Sequence, residues 1–526
     1  MAENEILWTA GFFNERFPAP VSPLAWSLLG PLIEETALRE PLRYLGYPQV
    51  ATIPLTRLWR GHPYTNVLAF QIFYKVFPDF ILPADCYRYF PDGDLHIRRR
   101  APYPRSLFSP RFLLSIGRAF LSDWQNFSPF HNYRKWARHI RDHDRRVAGL
   151  RARFAALEQA PPSEIFAALR QAENIHRDFL RIHRWSLTHA DLTFTALRKL
   201  SCAWVDRERG DEIAARAASG VPNKTMEVDA DLRELACQSQ VAGPKLEEFL
   251  AEHGHRSFSL DIAVPTFADD PMQVIRLVQG IDGTRRLSKR APSADMRGKE
   301  EQPGSIIQRW IFNAVRQVAV KYVALREDQR YYWQKSLAVS RHLYLVLASR
   351  LVAAGALARR EDVFYATHTE LADFFESRMT PASLAASVAA RQTEWDAYRR
   401  EPEYPLFLRG DRLLVAVTAK ERVWRARAIS PGIARGMARV VQSATELGAV
   451  QRGEILIAPS TDPAWTPVFS KIAGLVVARG GVLSHSAVVA REYRVPAVAG
   501  IANIVNEIET GEMIQVDGNK GVVTRL

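Results

Sequence analysis

The stretch EPEYPLFLRGD, Glu401 to Asp411, divides the chain into two textures. Its two prolines and one glycine interrupt helical and strand patterns alike, so residues 401–423 read as a linker. Upstream, Ser109 to Gln240 follows a helical period with mixed Ala, Leu and Arg, and Ser305 to Gly355 reads as a helical pair. Helices resume from about Glu370 to Tyr398, while 284–304 is polar, charged and loop-like. The first hundred residues are rich in aromatics and proline. FPAPVSPLAW cannot be helical throughout, and Tyr87 to Arg99 predicts two short strands around Pro91-Asp92-Gly93-Asp94. Downstream of 423 the runs are short and apolar. Glu454 to Ala458 and Ala473 to Val477 predict strands, Ser484 to Tyr493 a helix, and Met513 to Val516 with Val522 to Thr524 a hairpin around DGNKG. The expectation is a multidomain α+β chain: a mostly helical domain over 1–400 with short strands, the 401–423 linker, and a compact α/β domain over 424–526.

Composition narrows the function classes. Hydrophobic content of 47% supports sizeable cores, and a formal charge of +13 suits nucleotides or phosphorylated substrates as well as nucleic acid. No zinc-finger spacing or RNP motif accompanies the basic groups, so no nucleic-acid partner is expected. Cys86, Cys202 and Cys237 are far apart and odd in number, which favours a reducing, cytoplasmic address over a disulfide framework. MAENEILWTAGF does not read as a signal peptide, and Leu343 to Ala358 is interrupted by Arg350, so no membrane association is expected. His139 and His143 are spaced i, i+4, but lack an adjacent Glu and a third ligand, and no metal site is expected; His183 and His189 carry no supporting pattern. GVPNKT at 220–225 lacks the glycine spacing and Gly-Lys pair of a P-loop.

One histidine has a more telling setting. GGVLSHSAVVAREYRVPAVAG, Gly480 to Gly500, places His485 between a glycine pair and a helix start. With Ser484 as N-cap, the imidazole lies near free backbone N–H groups and the positive end of the helix dipole. Gly480 and Gly481 allow close backbone approach, and a helix N-terminus accommodates anions. That setting suits a neutral nucleophile receiving a phosphoryl group. Position alone favours a capping or core-edge histidine.

The stretch resembles the phosphohistidine signature of the phosphoenolpyruvate-utilising enzymes, and APSTDPAWTPVF, SPGIARGMARVV and VDGNKGVVT resemble the same domain. The resemblance, over about 424–526, implies a swivelling domain whose His485 carries phosphate between two sites. WTAGFFNERFPAPVSPLAWS, SGVPNKTMEVDADLRELA, FLAEHGHRSFSLDIAVPTFADDP, LREDQRYYWQK and DVFYATHTEL resemble, in order, the substrate domain of rifampicin phosphotransferases. By that resemblance Arg326 and Arg330 meet the phosphohistidine, with arginine at 330 where the family more often has lysine. Glu15, His255, Arg256 and Lys335 are the implied acceptor-binding residues, and Gly480, Gly481 and Ser484 form the phosphohistidine loop. Asp261 belongs to the same turn as His255, and Phe12, Phe13, Phe17, Trp26, Tyr64 and Tyr74 suit either an apolar acceptor or a core.

The substrate-domain motif begins at Trp8, which leaves no room ahead of it for the family's ATP-grasp domain. The expectation is a separate ATP-grasp partner resembling the N-terminal part of pyruvate phosphate dikinase, with ATP and Mg2+ bound there. A hydroxyl or carboxylate of a small organic molecule would be the acceptor. Two alternatives stay open: phosphorylation that drives dehydration or cyclisation, and a phosphohistidine binding or regulatory module without acceptor chemistry.

Overall fold

In the computed structural model the described residues are 5–75 except 15, 18 and 46; 89–91; 113, 114, 117, 120, 121 and 126; 128–279 except 208, 218–221 and 238–242; and 302–526 except 402, 403, 414–422, 483 and 502. Most of the expected strands at 87–99, most of the 284–304 loop and Glu15 lie outside them, and the described 89–91 are not strand.

Two long helices form the spine of the N-terminal part. Ile306–Ala353 runs unbroken for 48 residues, not as the expected pair. No proline or glycine falls inside it, so nothing interrupts the backbone ladder. Ser305 caps its start by accepting from Gln308 N, and Gly355 at φ +70° follows its end. Pro162–Trp204, 43 residues, packs along it. Leu169, Phe179 and Leu180 from one helix and Leu325, Trp333 and Leu347 from the other enter one core, together with Leu24, Leu29 and Ile33 of helix Pro23–Ile33. Helix Lys224–Ala236 begins at an Asn223 cap, whose side chain accepts from Met226 N.

Thirteen strands among the described residues form two sheets. The first runs β2 (Thr56–Trp59), β3 (His62–Asn66), β1 (Leu7–Thr9), β4 (Phe407–Arg409), β5 (Arg412–Leu413), all antiparallel. The linker reading is corrected for 407–413, which form an edge hairpin of this sheet. Leu408 lies opposite Trp8 and is fully buried with it and Tyr64, and burying that alternate residue fixes the register. Tyr64 Oη donates to Pro405 O at 2.6 Å.

The second sheet joins β6 (Val423–Arg425), β13 (Val522–Arg525), β12 (Met513–Asp517), β8 (Ile433–Val440), β9 (Ile455–Ala458), β10 (Gly474–Val477), β11 (Ala497–Ala499) and β7 (Arg427–Ser430) in that order. β8, β9, β10 and β11 are mutually parallel. β9 and β10 are buried at every position, which explains continuous apolar runs in place of alternation. Helix His485–Tyr493 covers one face through Ala487, Val489 and Ala490, and Ile504 and Val505 pack against the other. The expected 513–524 hairpin is present as β12 and β13. Among the described residues no helix is long and apolar enough to cross a membrane.

Candidate functional site

Ser484 is the N-cap of helix His485–Tyr493, its side chain accepting from Ala487 N, and His485 is the first helical residue. Gly480 holds φ +138°, and a Cβ there would lie 3.1 Å from Ser484 Oγ. Glycine at 480 is thus required by the backbone conformation and by the approach of the cap. Gly481 O accepts from Ser484 N at 2.9 Å. Arg491 donates to Ile429 O and Val482 O, tying the loop to the helix it precedes.

His485 is buried against the long helix. Its Nδ1 lies 3.0 Å from Glu327 Oε2, and its Nε2 lies 3.4 Å from Thr466 Oγ1. A carboxylate only accepts, so Nδ1 carries a proton, and Nε2 is the nitrogen that holds the lone pair when the ring is neutral. Glu327 Oε2 also accepts from Thr225 Oγ1 at 3.1 Å, and Asp328 Oδ1 from Lys224 N at 2.7 Å. Both carboxylates therefore meet the positive end of helix Lys224–Ala236. Burial pushes the Glu327 carboxyl upward, but the charges of His485 and Arg326 and the hydrogen bonds from His485 and Thr225 outweigh it and hold it at about 2. Burial and the neighbouring Glu327 raise Asp328 to about 6.

Two arginines flank this pair. Arg330 Nη2 lies 3.8 Å from Asp462 Oδ2, and Asp462 directly precedes the turn carrying Thr466. Arg256 is buried, and burial and the charge of Arg330 lower it to about 10, against the opposing charges of Tyr331, Asp462 and Glu327. Arg330 Nε and Nη2 and Arg256 Nη1 are buried without a hydrogen-bond partner. Unpaired buried donors are costly, and guanidinium N–H groups match phosphoryl oxygens. Other contacts tie the two parts together. Tyr493 Oη donates to Asp229 and accepts from Arg233 Nη2 at 2.7 Å, and Val488 packs on Phe194 and Val323.

Beside Arg326 lies a cavity of about 140 Å³, counted as space open to the centres of water molecules. Its walls are mainly apolar, with Phe12, Leu38, Phe70, Tyr74, Trp185 and Trp333 among them, and Arg16, His183, Asp191 and Arg326 supply polar groups. Arg326 Nη1 lies 3.4 Å from Asp191 Oδ1. Phe12 and Tyr74 thus line the cavity, whereas Phe13, Phe17 and Tyr64 are core residues and Trp26 packs at the core edge.

The expected acceptor-binding set divides. Arg256 joins Arg330 by the His485–Glu327 pair and does not line the cavity. His255 is buried edge-on to Tyr331, and burial, with the charges of Arg256 and Lys335, holds it well below the usual range. Lys335 reaches Asp144 at 3.6 Å and lies over the Tyr331 ring, away from the cavity walls. Asp261 accepts from Ser22 N and Oγ at 2.6 Å, tying its turn to the start of helix Pro23–Ile33. Sequence reasoning missed Glu327, Asp462 and Thr466 as members of the site. Their signal lay inside LREDQR and STDPAWT, quoted for their neighbours. His139 and His143 pack around Phe179, and no group of His, Cys, Asp or Glu among the described residues is arranged to hold a metal ion.

Residues 450–521 match the family "PEP-utilising enzyme, mobile domain", and 223–327 match "Rifampicin phosphotransferase fourth domain". The two matched stretches meet at the His485–Glu327 contact. Rifampicin phosphotransferase of Streptomyces sviceus is 29% identical over 308 residues, 53% of this chain and 34% of its own length. Phosphoenolpyruvate synthase of Aquifex aeolicus is 47% identical over 94 residues, 18% of this chain and 11% of its own. Chondramide synthase of Chondromyces crocatus is 30% identical over 325 residues, 54% of this chain and 8% of its own. The chain thus spans about a third or less of these three relatives. One stretch of the chain is thus similar to the mobile domain of phosphoenolpyruvate-utilising enzymes and another to the fourth domain of rifampicin phosphotransferases.

Proposed function

We propose that this chain is the carrier and acceptor part of a split phosphotransferase. His485 receives a phosphoryl group from a separate ATP-grasp protein, which binds ATP and Mg2+ and releases AMP and phosphate. The mobile domain, 424–526, then delivers the group to a hydroxyl or carboxylate of a small organic acceptor bound in the 1–400 part. The observation that carries this reading is the contact of His485 Nδ1 with Glu327 Oε2, one residue from the Arg326 wall of the cavity.

The chemistry follows from that contact. With Nδ1–H held by a carboxylate, a phosphoryl group on Nε2 sits on an imidazolium. Transfer then releases a neutral imidazole, a far better leaving group than an imidazolide. Glu327 stays ionised throughout the physiological range, consistent with its depressed titration. Arg256 and Arg330 would clamp the equatorial oxygens, where phosphoryl transfer concentrates charge. Because His485 is only 9% exposed in this arrangement, it must leave the Glu327 contact to meet a donor on another protein.

Labelling with ATP marked at the β-phosphate tests the reading, using the protein alone, with source-cell lysate, and with lysate after His485→Ala. Acid-labile, base-stable label only with lysate and intact His485 is the expected result. Label without lysate would put the donor site on this chain, and no label beside an active control would remove the carrier role.

A further inference from the structure

His183 lines the cavity from helix Pro162–Trp204 and has no place in the mechanism above. Its Nδ1 lies 2.5 Å from Gln329 Oε1, two residues along the long helix from Glu327. Gln329 is fully buried, and its carbonyl oxygen only accepts. The proton of His183 therefore sits on Nδ1, and Nε2 keeps a lone pair. Phe179, stacked with centroids 5.7 Å apart, and Trp333, at 6.0 Å, hold the imidazole plane. A tautomer set by a third group, on a ring fixed by packing, is the arrangement a general base requires.

Resting on the carrier reading of His485, we infer that His183 is the catalytic base for a hydroxyl-bearing, mainly apolar aromatic acceptor held in this cavity. The acceptor oxygen forms the new O–P bond as the P–Nε2 bond of phospho-His485 breaks. That bond's electron pair returns to His485 Nε2, leaving a neutral imidazole protonated on Nδ1. The hydroxyl proton passes to His183 Nε2 and then to water. The mainly apolar walls favour an apolar acceptor, and Arg326 borders both sides, its charge acting on His183 and on Glu327, the partner of His485.

The charged groups around His183 support neutrality. Burial, with the charges of Arg16 and Arg326, lowers it to about 3, against the hydrogen bond to Gln329. Asp191 and Arg184 complete the charged lining. A phosphoryl dianion arriving beside Arg326 offsets the cationic field and makes Nε2 more basic when the proton has to move.

The test separates proton transfer from packing through the acidity of the acceptor. Wild-type, His183→Gln, His183→Phe and Gln329→Leu proteins are phosphorylated with phosphoramidate, and label at His485 is checked against His485→Ala. Each is then discharged to naphthol and to nitro-substituted naphthols already ionised at mildly alkaline pH. His183→Gln keeps an oxygen near the Nε2 position, so it can orient a hydroxyl but cannot take its proton. It is expected to lose on the order of 100-fold in transfer to naphthol and less than about five-fold to the ionised naphthols. His183→Phe should show the same split, and Gln329→Leu a smaller loss with the same dependence on acidity. Equal losses with both acceptors, or none, in folded His183→Gln would overturn the base assignment. Label on wild-type His485 without transfer to any naphthol would overturn the acceptor assignment and leave the carrier reading standing. No label on His485 would overturn both.

Discussion

Glu327 accepts from His485 and Thr225 at one oxygen, and its neighbour Asp328 accepts from a backbone N–H of the helix that carries Thr225. Two adjacent carboxylates thus meet opposite fates. Glu327 is held at about 2 and Asp328 raised to about 6. Glu327→Gln keeps an acceptor for Nδ1–H but cannot stabilise the imidazolium. Discharge of phospho-His485 to its acceptor should slow on the order of 100-fold, read in a single turnover. Asp328 gives a pH-dependent prediction of the other sign. A carboxyl whose folded pKa is raised binds its proton more tightly in the folded state, so stability falls as pH rises from the unfolded value, 3.8, to about 6. Asp328→Asn should therefore raise the unfolding free energy by up to about 2 kcal/mol above pH 6. It should have little effect below the unfolded value, as read by denaturant titration at both pH values.

At the scale of elements, helix His485–Tyr493 owes its position to its first turn. Ser484→Ala removes the acceptor for Ala487 N and should cost about 1 kcal/mol. Gly480→Ala forces a side chain to φ +138° against the same cap and should cost about 1–3 kcal/mol. Thermal melting of the two variants orders them. Both should lower phosphorylation of His485 more than they lower overall folding, because the loop aims the imidazole. The long helix Ile306–Ala353 shows what local pattern conveys and what it leaves out. Its helicity was legible, since good helix formers recur without a breaker. Its continuity was not, because a change in buried face along a helix resembles a break when the packing partners are unknown. The 407–413 stretch misled in the opposite way. Gly410 and the preceding Pro402 and Pro405 spoke for a linker, and only pairing with Leu7–Thr9 made Phe407–Arg409 a strand.

For the whole molecule, this arrangement seats the mobile domain on the helical part through Tyr493, Val488 and His485. The proposed carrier role requires that seat to be balanced against departure. Tyr493→Phe removes the hydroxyl shared by Asp229 and Arg233 and should weaken the seat. Labelling of His485 from ATP in lysate should then become several-fold faster, and transfer to the acceptor slower. A structural role alone would lower both together.

What the sequence determined by itself is what neighbours in the chain decide. The cap at Ser484, the glycine loop, the helical and strand textures and the His485 signature all arise within about one turn or one strand, where backbone hydrogen bonds and φ preferences operate. What only the tertiary structure decided is convergence. Glu327 reaches His485 across 158 residues, and β4 completes a sheet begun at Leu7. Arg256 and Arg330 share one buried corner with Asp462, and the cavity walls come from segments spread between Phe12 and Trp333. Such meetings depend on how apolar faces pack against each other, and packing carries no local period from which a partner can be read.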